Sequence, residues 1–308
     1  MRTRDFLLVV SAAVLWGTGG VLGALLADGG AVPPASVALW RMLIAGVVLT
    51  AWVAIRGELR GTSRAGWRRV LLTAALTAAF ECLYFSGVAL AGVGLATLVT
   101  IGSAPVWVAC WDAATQRRRP PPRALGALAL ALVGLLAVSA TSLHTADARA
   151  GGIVVALAAG AAFAGITVAN RRPVPGMGPV RLVALTFFVG GLMVLPVALL
   201  TGFAAPGGLE GWTLALAMGV FSTGLAYVAY LAGLATVSAF VATVVSLIEP
   251  LVAAALSALI LGERLGWWTM AGGVALASAV VMLRPQRDAQ GRVSQRPTMD
   301  PDPSRQES

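Results

Sequence analysis

The stretch SLIEPLVAAALSALILGER, residues 246–264, decides how the rest of the chain is read. Glu249 stands directly before Pro250 inside an apolar run that stops at Gly262-Glu263-Arg264. In water this would be a core helix with an awkward carboxylate. The apolar character, however, reaches back to about Trp212, with Glu210 the other charge nearby, so the expected solvent is lipid. A helix in lipid must satisfy its own backbone groups, and Pro250, lacking an N–H, frees a carbonyl about one turn earlier. An ionisable residue beside such a break, at membrane depth, is a candidate transport site.

Composition agrees. The 308 residues have a mean hydropathy of +0.85, and 58% are hydrophobic against 11% charged, too little charge to cover a soluble domain. The chain reads as an all-α, multi-pass membrane protein. Its net charge of +9 therefore reports topology, and the bilayer rather than nucleic acid is the expected partner. All 22 basic residues are Arg, which removes Walker-type phosphate loops and lysine Schiff bases. No H-E-x-x-H, G-x-S-x-G or nucleotide loop occurs. His144 is the one His, with no Cys or carboxylate at ligand spacing, so no metal, cofactor or catalytic residue is expected. Cys82 and Cys110 lie in separate apolar runs and predict no disulfide. Residues 1–30 could pass for a signal peptide, but the many spans that follow favour an uncleaved first helix.

Ten spans are predicted. The first covers 6–26 and the second 35–55. The 46 residues from 70 to 115 carry only Glu81 and Asp112 and must hold two, with a turn at Ala91-Gly92-Val93-Gly94. The fifth covers 124–141, the sixth 153–170 and the seventh 182–201. The block 212–261 again holds two, with a weak break near 235–238, and the tenth covers 267–283. Residues 285–308, rich in Pro and Arg, predict a disordered cytoplasmic tail. Placing both termini in the cytoplasm puts 19 Arg inside and only Arg149 and Arg264 outside, as the positive-inside rule requires.

Five spans per half (6–141 and 151–284) invert the second half relative to the first, the plan of secondary transporters. YFSGVALAGVGLATLVTIGSAPV (84–106) aligns without gaps to AYLAGLATVSAFVATVVSLIEPL (229–251), bringing Pro105 onto Pro250; a register one residue further on gains identities, with Thr97 on Thr243, but separates the prolines. Both prolines are therefore expected to break their helices. Ala104 stands where the second half has Glu249, so any carboxylate role is one-sided.

Leu15-Trp16-Gly17, Trp40-Arg41, GGIVVALAAGAAFAGITVANRR (151–172) and above all IEPLVAAALSALILGERL resemble the EamA branch of the drug/metabolite transporter superfamily. The resemblance covers about residues 6–283. It implies ten helices in two inverted five-helix repeats and export of amino acids or related small metabolites across the inner (plasma) membrane.

Few polar residues are available at depth. Glu249 is either a protonatable or substrate-contacting group, or a hydrogen-bonding cap for backbone freed by Pro250. Glu81, in mid-span beside Tyr84-Phe85, is expected to face the cavity. Arg41 is expected to pair with a carboxylate at similar depth, such as Glu81, or to hold a substrate carboxylate. Trp16, Trp107 and Tyr230 could line an aromatic pocket or face lipid. Asp112 is expected at the interface, and Trp67, Trp212, Trp267 and Trp268 fall at span ends. The leading expectation is alternating access with a small-molecule substrate, which a proton gradient could bias through carboxylate protonation. A membrane enzyme or a non-transporting scaffold is the alternative, and a homo-oligomer is a compatible assembly.

Overall fold

The computed structural model describes residues 1–28, 32–59, 61–117, 119–143, 150–260, 262 and 265–285. His144, Arg149, Glu263, Arg264 and the expected tail beyond residue 285 lie outside them. Every regular element among the described residues is helical. In chain order these are α1 (Thr3–Asp28), α2 (Pro34–Ile55), α3 (Arg64–Ala91), α4 (Val93–Gln116), α5 (Pro122–Leu143), α6 (Ala150–Asn170), α7 (Pro179–Thr201), α8 (Gly208–Gly233), α9a (Ala239–Ser246), α9b (Glu249–Ile260) and α10 (Trp267–Leu283). With α9a and α9b counted as one crossing, nine are long and apolar enough to span a bilayer. The 17-residue α10 is the tenth, at the short end of what spans a bilayer.

Local chemistry sets the helix boundaries. Pro34 opens α2 at the position where a missing N–H costs nothing, and the Ser63 hydroxyl accepts from the Gly66 N–H to cap α3. Gly92, at φ +77°, makes the single-residue turn between α3 and α4, a conformation open to glycine. The predicted break at 235–238 is present, and Ser238 caps α9a.

Side-chain contacts gather the two ends of each helix onto common faces. On the face carrying the N-terminus, the Thr236 hydroxyl donates to Asp5 at 2.7 Å, Arg69 donates to the Arg172 carbonyl, and Arg171 pairs with Asp112 at 2.6 Å. On the opposite face, Trp40 donates its indole N–H to the Ala204 carbonyl. Asp112 is thus at a helix end, as expected.

The largest helix interfaces form a two-fold set. α2 packs on α7 and α5 on α10, each pair exchanging places under a five-helix shift. Contacts of α3 with α6 are mirrored by α8 with α1, and those of α4 with α6 by α9 with α1. This is the inverted-repeat arrangement. At the α5–α10 crossing, Gly134 and Gly272 meet backbone to backbone, where a Cβ on Gly272 would lie 2.5 Å from the Gly134 carbonyl oxygen.

The prolines break the symmetry. α4 runs uninterrupted through Pro105, which corrects the expectation of a helix break there. Around Pro105, α4 is clamped against α6: a Cβ on Gly160 would sit 2.6 Å from the Thr100 carbonyl oxygen. Losing one backbone bond is cheaper than undoing that packing. The ninth crossing is broken at Leu247 and Ile248, whose N–H groups reach back only three residues, to Val244 and Val245. Pro250 then occupies the first turn of α9b, where an N–H has no intrahelical acceptor. A further proline, Pro196, sits inside α7 without ending it.

Candidate functional site

Glu81 lies on a stripe of α3 formed by Thr73, Thr77, Glu81 and Tyr84, three to four residues apart and so on one face. Thr73, Thr77 and Glu81 are buried there among α2, α6 and α7. Below Glu81, Thr77 donates to the Thr73 carbonyl, and Asn170 of α6 donates to the Thr73 hydroxyl at 3.2 Å.

Arg41, projecting from α2, forms an ion pair with the Glu81 Oε1. The Glu81 side chain has 0% exposure and that of Arg41 19%, so the pair is largely removed from solvent. Pairing compensates for burying two charges, yet each partner keeps an unused atom. Glu81 Oε2 and Arg41 Nε are buried and have no hydrogen-bond partner among the described residues.

Glu249 comes to the same place from the other half. It is the first residue of α9b, where the exposed N–H groups of the helix start favour a negative charge. Its carboxylate makes no hydrogen bond or ion pair among the described residues. It lies within electrostatic reach of Arg41, Glu81, Tyr84 and Tyr227. α1 holds it there: a Cβ on Gly17 would sit 2.9 Å from the Glu249 carbonyl oxygen.

Aromatic rings pack together beside these groups. Trp16 meets Phe163, Tyr227 and Tyr230 with ring centroids 5.7, 5.2 and 5.0 Å away, and its indole N–H is buried without a partner among the described residues. Phe80 stacks with Tyr84 and touches Phe163, extending the wall to α3. The Tyr230 and Thr167 hydroxyls share a hydrogen bond of 2.8 Å, as do those of Tyr84 and Thr97. α8 adds a further irregularity. Over Met218–Leu225 it widens to i→i+5 bonding, and Gly219 in this segment packs against the Arg41 carbonyl.

Of the residues singled out from the sequence, Arg41, Glu81, Glu249, Trp16 and Tyr230 converge here. Trp107 does not. The residue is 41% exposed, its ring makes no ring contact among the described residues and its indole N–H donates to the Leu157 carbonyl at 3.1 Å, so it braces α4 on α6 at the bundle surface. Pro105 lies in unbroken helix, as described. Sequence reasoning did not single out Phe163, Tyr227 or the widened turn of α8. Only the cluster Gly219, Ser222, Thr223, Gly224, small and polar in an apolar run, hinted at that turn.

The EamA-like transporter family matches this chain twice, over residues 4–140 and 150–284. The uncharacterized transporter YwfM of Bacillus subtilis is 31% identical over 262 residues, covering 84% of this chain and 86% of that one. The uncharacterized inner membrane transporter YicL of Salmonella typhimurium is 26% identical over 298 residues, 91% and 95% of the two chains. A protein of known crystal structure shares the fold at a TM-score of 0.74 and 21% identity, over 92% of this chain and 96% of its own.

Proposed function

The chain belongs to the EamA-like transporter family, and on that premise we propose that it exports small metabolites, amino acids or related compounds, by alternating access. The observation that carries this reading is the Arg41–Glu81 pair, buried between the two inverted halves with an unused atom on each partner, facing the unpaired Glu249. A buried ion pair left half-satisfied is costly as pure architecture. It is useful in a site that must be stable both empty and loaded. In the empty state Arg41 and Glu81 neutralise each other. In the loaded state a substrate ammonium group supplies a partner to a Glu, and a substrate carboxylate, where the molecule has one, supplies a partner to Arg41.

The same geometry suggests how access alternates. The two halves meet along the α1–α8, α3–α6 and α2–α7 interfaces, and rocking one half against the other opens the site to either face. Glu249 stands at the broken crossing, so α9b can tilt without dragging α9a. Protonation of a site carboxylate would couple the cycle to the proton gradient. In this reading the protein lies in the plasma membrane with both termini in the cytoplasm, because the face carrying Arg2, Arg69, Arg171 and Arg172 is the basic one.

The test is a metabolite survey of culture medium from overexpressing and deleted cells, followed by efflux of the accumulating compound from proteoliposomes. Efflux at the wild-type rate from Arg41→Ala, Glu81→Gln and Glu249→Gln together, at equal folded protein, would place the site elsewhere.

A further inference from the structure

The site has one more acid than base. Arg41 and Glu81 cancel each other, and Glu249 is left over. Among the described residues, the other titratable groups within reach of Glu249 are the phenols Tyr84 and Tyr227, and Cys82 lies within reach of Glu81. Of the helices packed against α9b, α1 carries its charges only at its ends (Arg2 and Arg4 just before and inside its start, Asp5, Asp28), α5 only Arg123 at its start, and α10 none within it. Among the described residues, no second cation therefore answers Glu249 from these helices.

The unsatisfied groups and the walls define the complement. Among the described residues, the acceptors without a partner are the Glu249 carboxylate and the buried Glu81 Oε2, and the buried donors without one are Arg41 Nε and the Trp16 indole N–H. Rings of Trp16, Phe80, Tyr84, Phe163, Tyr227 and Tyr230 form one connected cluster, and Tyr84 and Tyr227 in it lie within electrostatic reach of Glu249, Glu81 and Arg41. Aromatic faces attract cations, and most strongly where water is excluded. A bound zwitterion would leave the site with its net negative charge. A bound anion would add to it.

We infer that the cargo of this site is a small amphipathic amine of net charge +1, its ammonium group held by Glu249 within the aromatic wall and its apolar body against the rings. The inference rests on the central site proposed above and, among the small metabolites proposed there, selects cationic amines over zwitterionic amino acids. The Arg41–Glu81 pair then orients Glu81 Oε2 as a second acceptor for the ammonium hydrogens.

Three probes with one body and three charges test it: phenethylamine (+1), L-phenylalanine (0) and phenylacetate (−1). Binding of each to the detergent-solubilised full chain is measured by titration calorimetry at neutral pH. Phenethylamine is expected to bind at least tenfold more tightly than phenylalanine, and phenylacetate not measurably. In Glu249→Gln, with folding checked by thermal melting, the preference for the amine should fall at least tenfold. Glu249→Asp, which keeps the charge, should retain it. Equal or tighter binding of phenylalanine or phenylacetate by the wild type overturns the inference, as does an undiminished amine preference in Glu249→Gln. If Glu249→Gln does not fold, the wild-type order of the three probes decides alone. Binding needs no transport, so the two readings fail separately. Glu249-dependent amine binding without efflux defeats the transporter mechanism only. Efflux of a neutral or anionic metabolite without amine binding defeats the cation assignment only.

Discussion

Gly17 and Glu249 pack so closely that a Cβ on Gly17 would lie 2.9 Å from the Glu249 carbonyl oxygen and 2.6 Å from the Val252 Cβ. The contact joins the centre of α1 to the first turn of α9b, and those atoms are backbone or stiff β-branched side chain. Gly17→Ala should therefore push α9b away from α1 and carry Glu249 with it. Overpacking of this kind costs about 1–3 kcal/mol. Transport in Gly17→Ala should fall at least tenfold, while Gly20→Ala, which meets only the Ala253 Cβ at 3.3 Å, should stay within about threefold of wild type. Equal rates for the two variants would remove any role for the α1–α9b contact.

The Arg41–Glu81 pair makes a stability prediction independent of substrate. Removing one partner strands the other charge in the protein interior, at a cost of about 3–5 kcal/mol. Arg41→Met and Glu81→Leu, each alone, should lower the melting temperature in detergent. Combined, they should recover much of that loss, because two apolar side chains replace two charges. The double variant should still be inactive. Additive losses in the double variant would show that the two side chains act independently.

Pro250 and Pro105 should behave differently although they align. Alanine at 250 restores an N–H able to bond the Ser246 carbonyl, so Pro250→Ala should knit α9a to α9b and slow transport at least tenfold without unfolding the protein. Pro105→Ala only completes a helix that is already continuous and should leave transport within about twofold. The opposite ranking would mean that α4 is the crossing that flexes.

Topology can be checked at two open glycines. Gly207 and Gly178 have ordinary negative φ, and a Cβ added at either would meet no atom within 4 Å, so cysteine fits at both without strain. In a background with Cys82 and Cys110 replaced, an impermeant thiol reagent added to intact cells should label Gly207→Cys and spare Gly178→Cys. Labelling of Gly178→Cys alone would reverse the orientation.

By itself, the sequence determined the solvent, the helices and their number. Burying 58% apolar residues with so little charge requires lipid, and lipid permits each apolar run of about twenty residues only one regular backbone. Arg41 and Glu81 were legible as partners for the same reason: two opposite charges at similar depth have few other ways to be neutralised. Tertiary structure alone decided the rest. Pro105 and Pro250 occupy aligned positions, yet a proline breaks a helix only where its neighbours allow, and α4, packed on α6, stays continuous while Leu247 and Ile248 have already turned out of α9a. Trp107 and Trp16 are the same residue type at similar depth, and only the rotation of their helices sends one to the surface and the other against Tyr230. Rotation about a helix axis leaves little mark on a chain apolar on nearly every side, because lipid and protein interior reward the same side chains. The aromatic wall of Phe163, Tyr227 and Tyr230 therefore emerged only when the two halves were packed together.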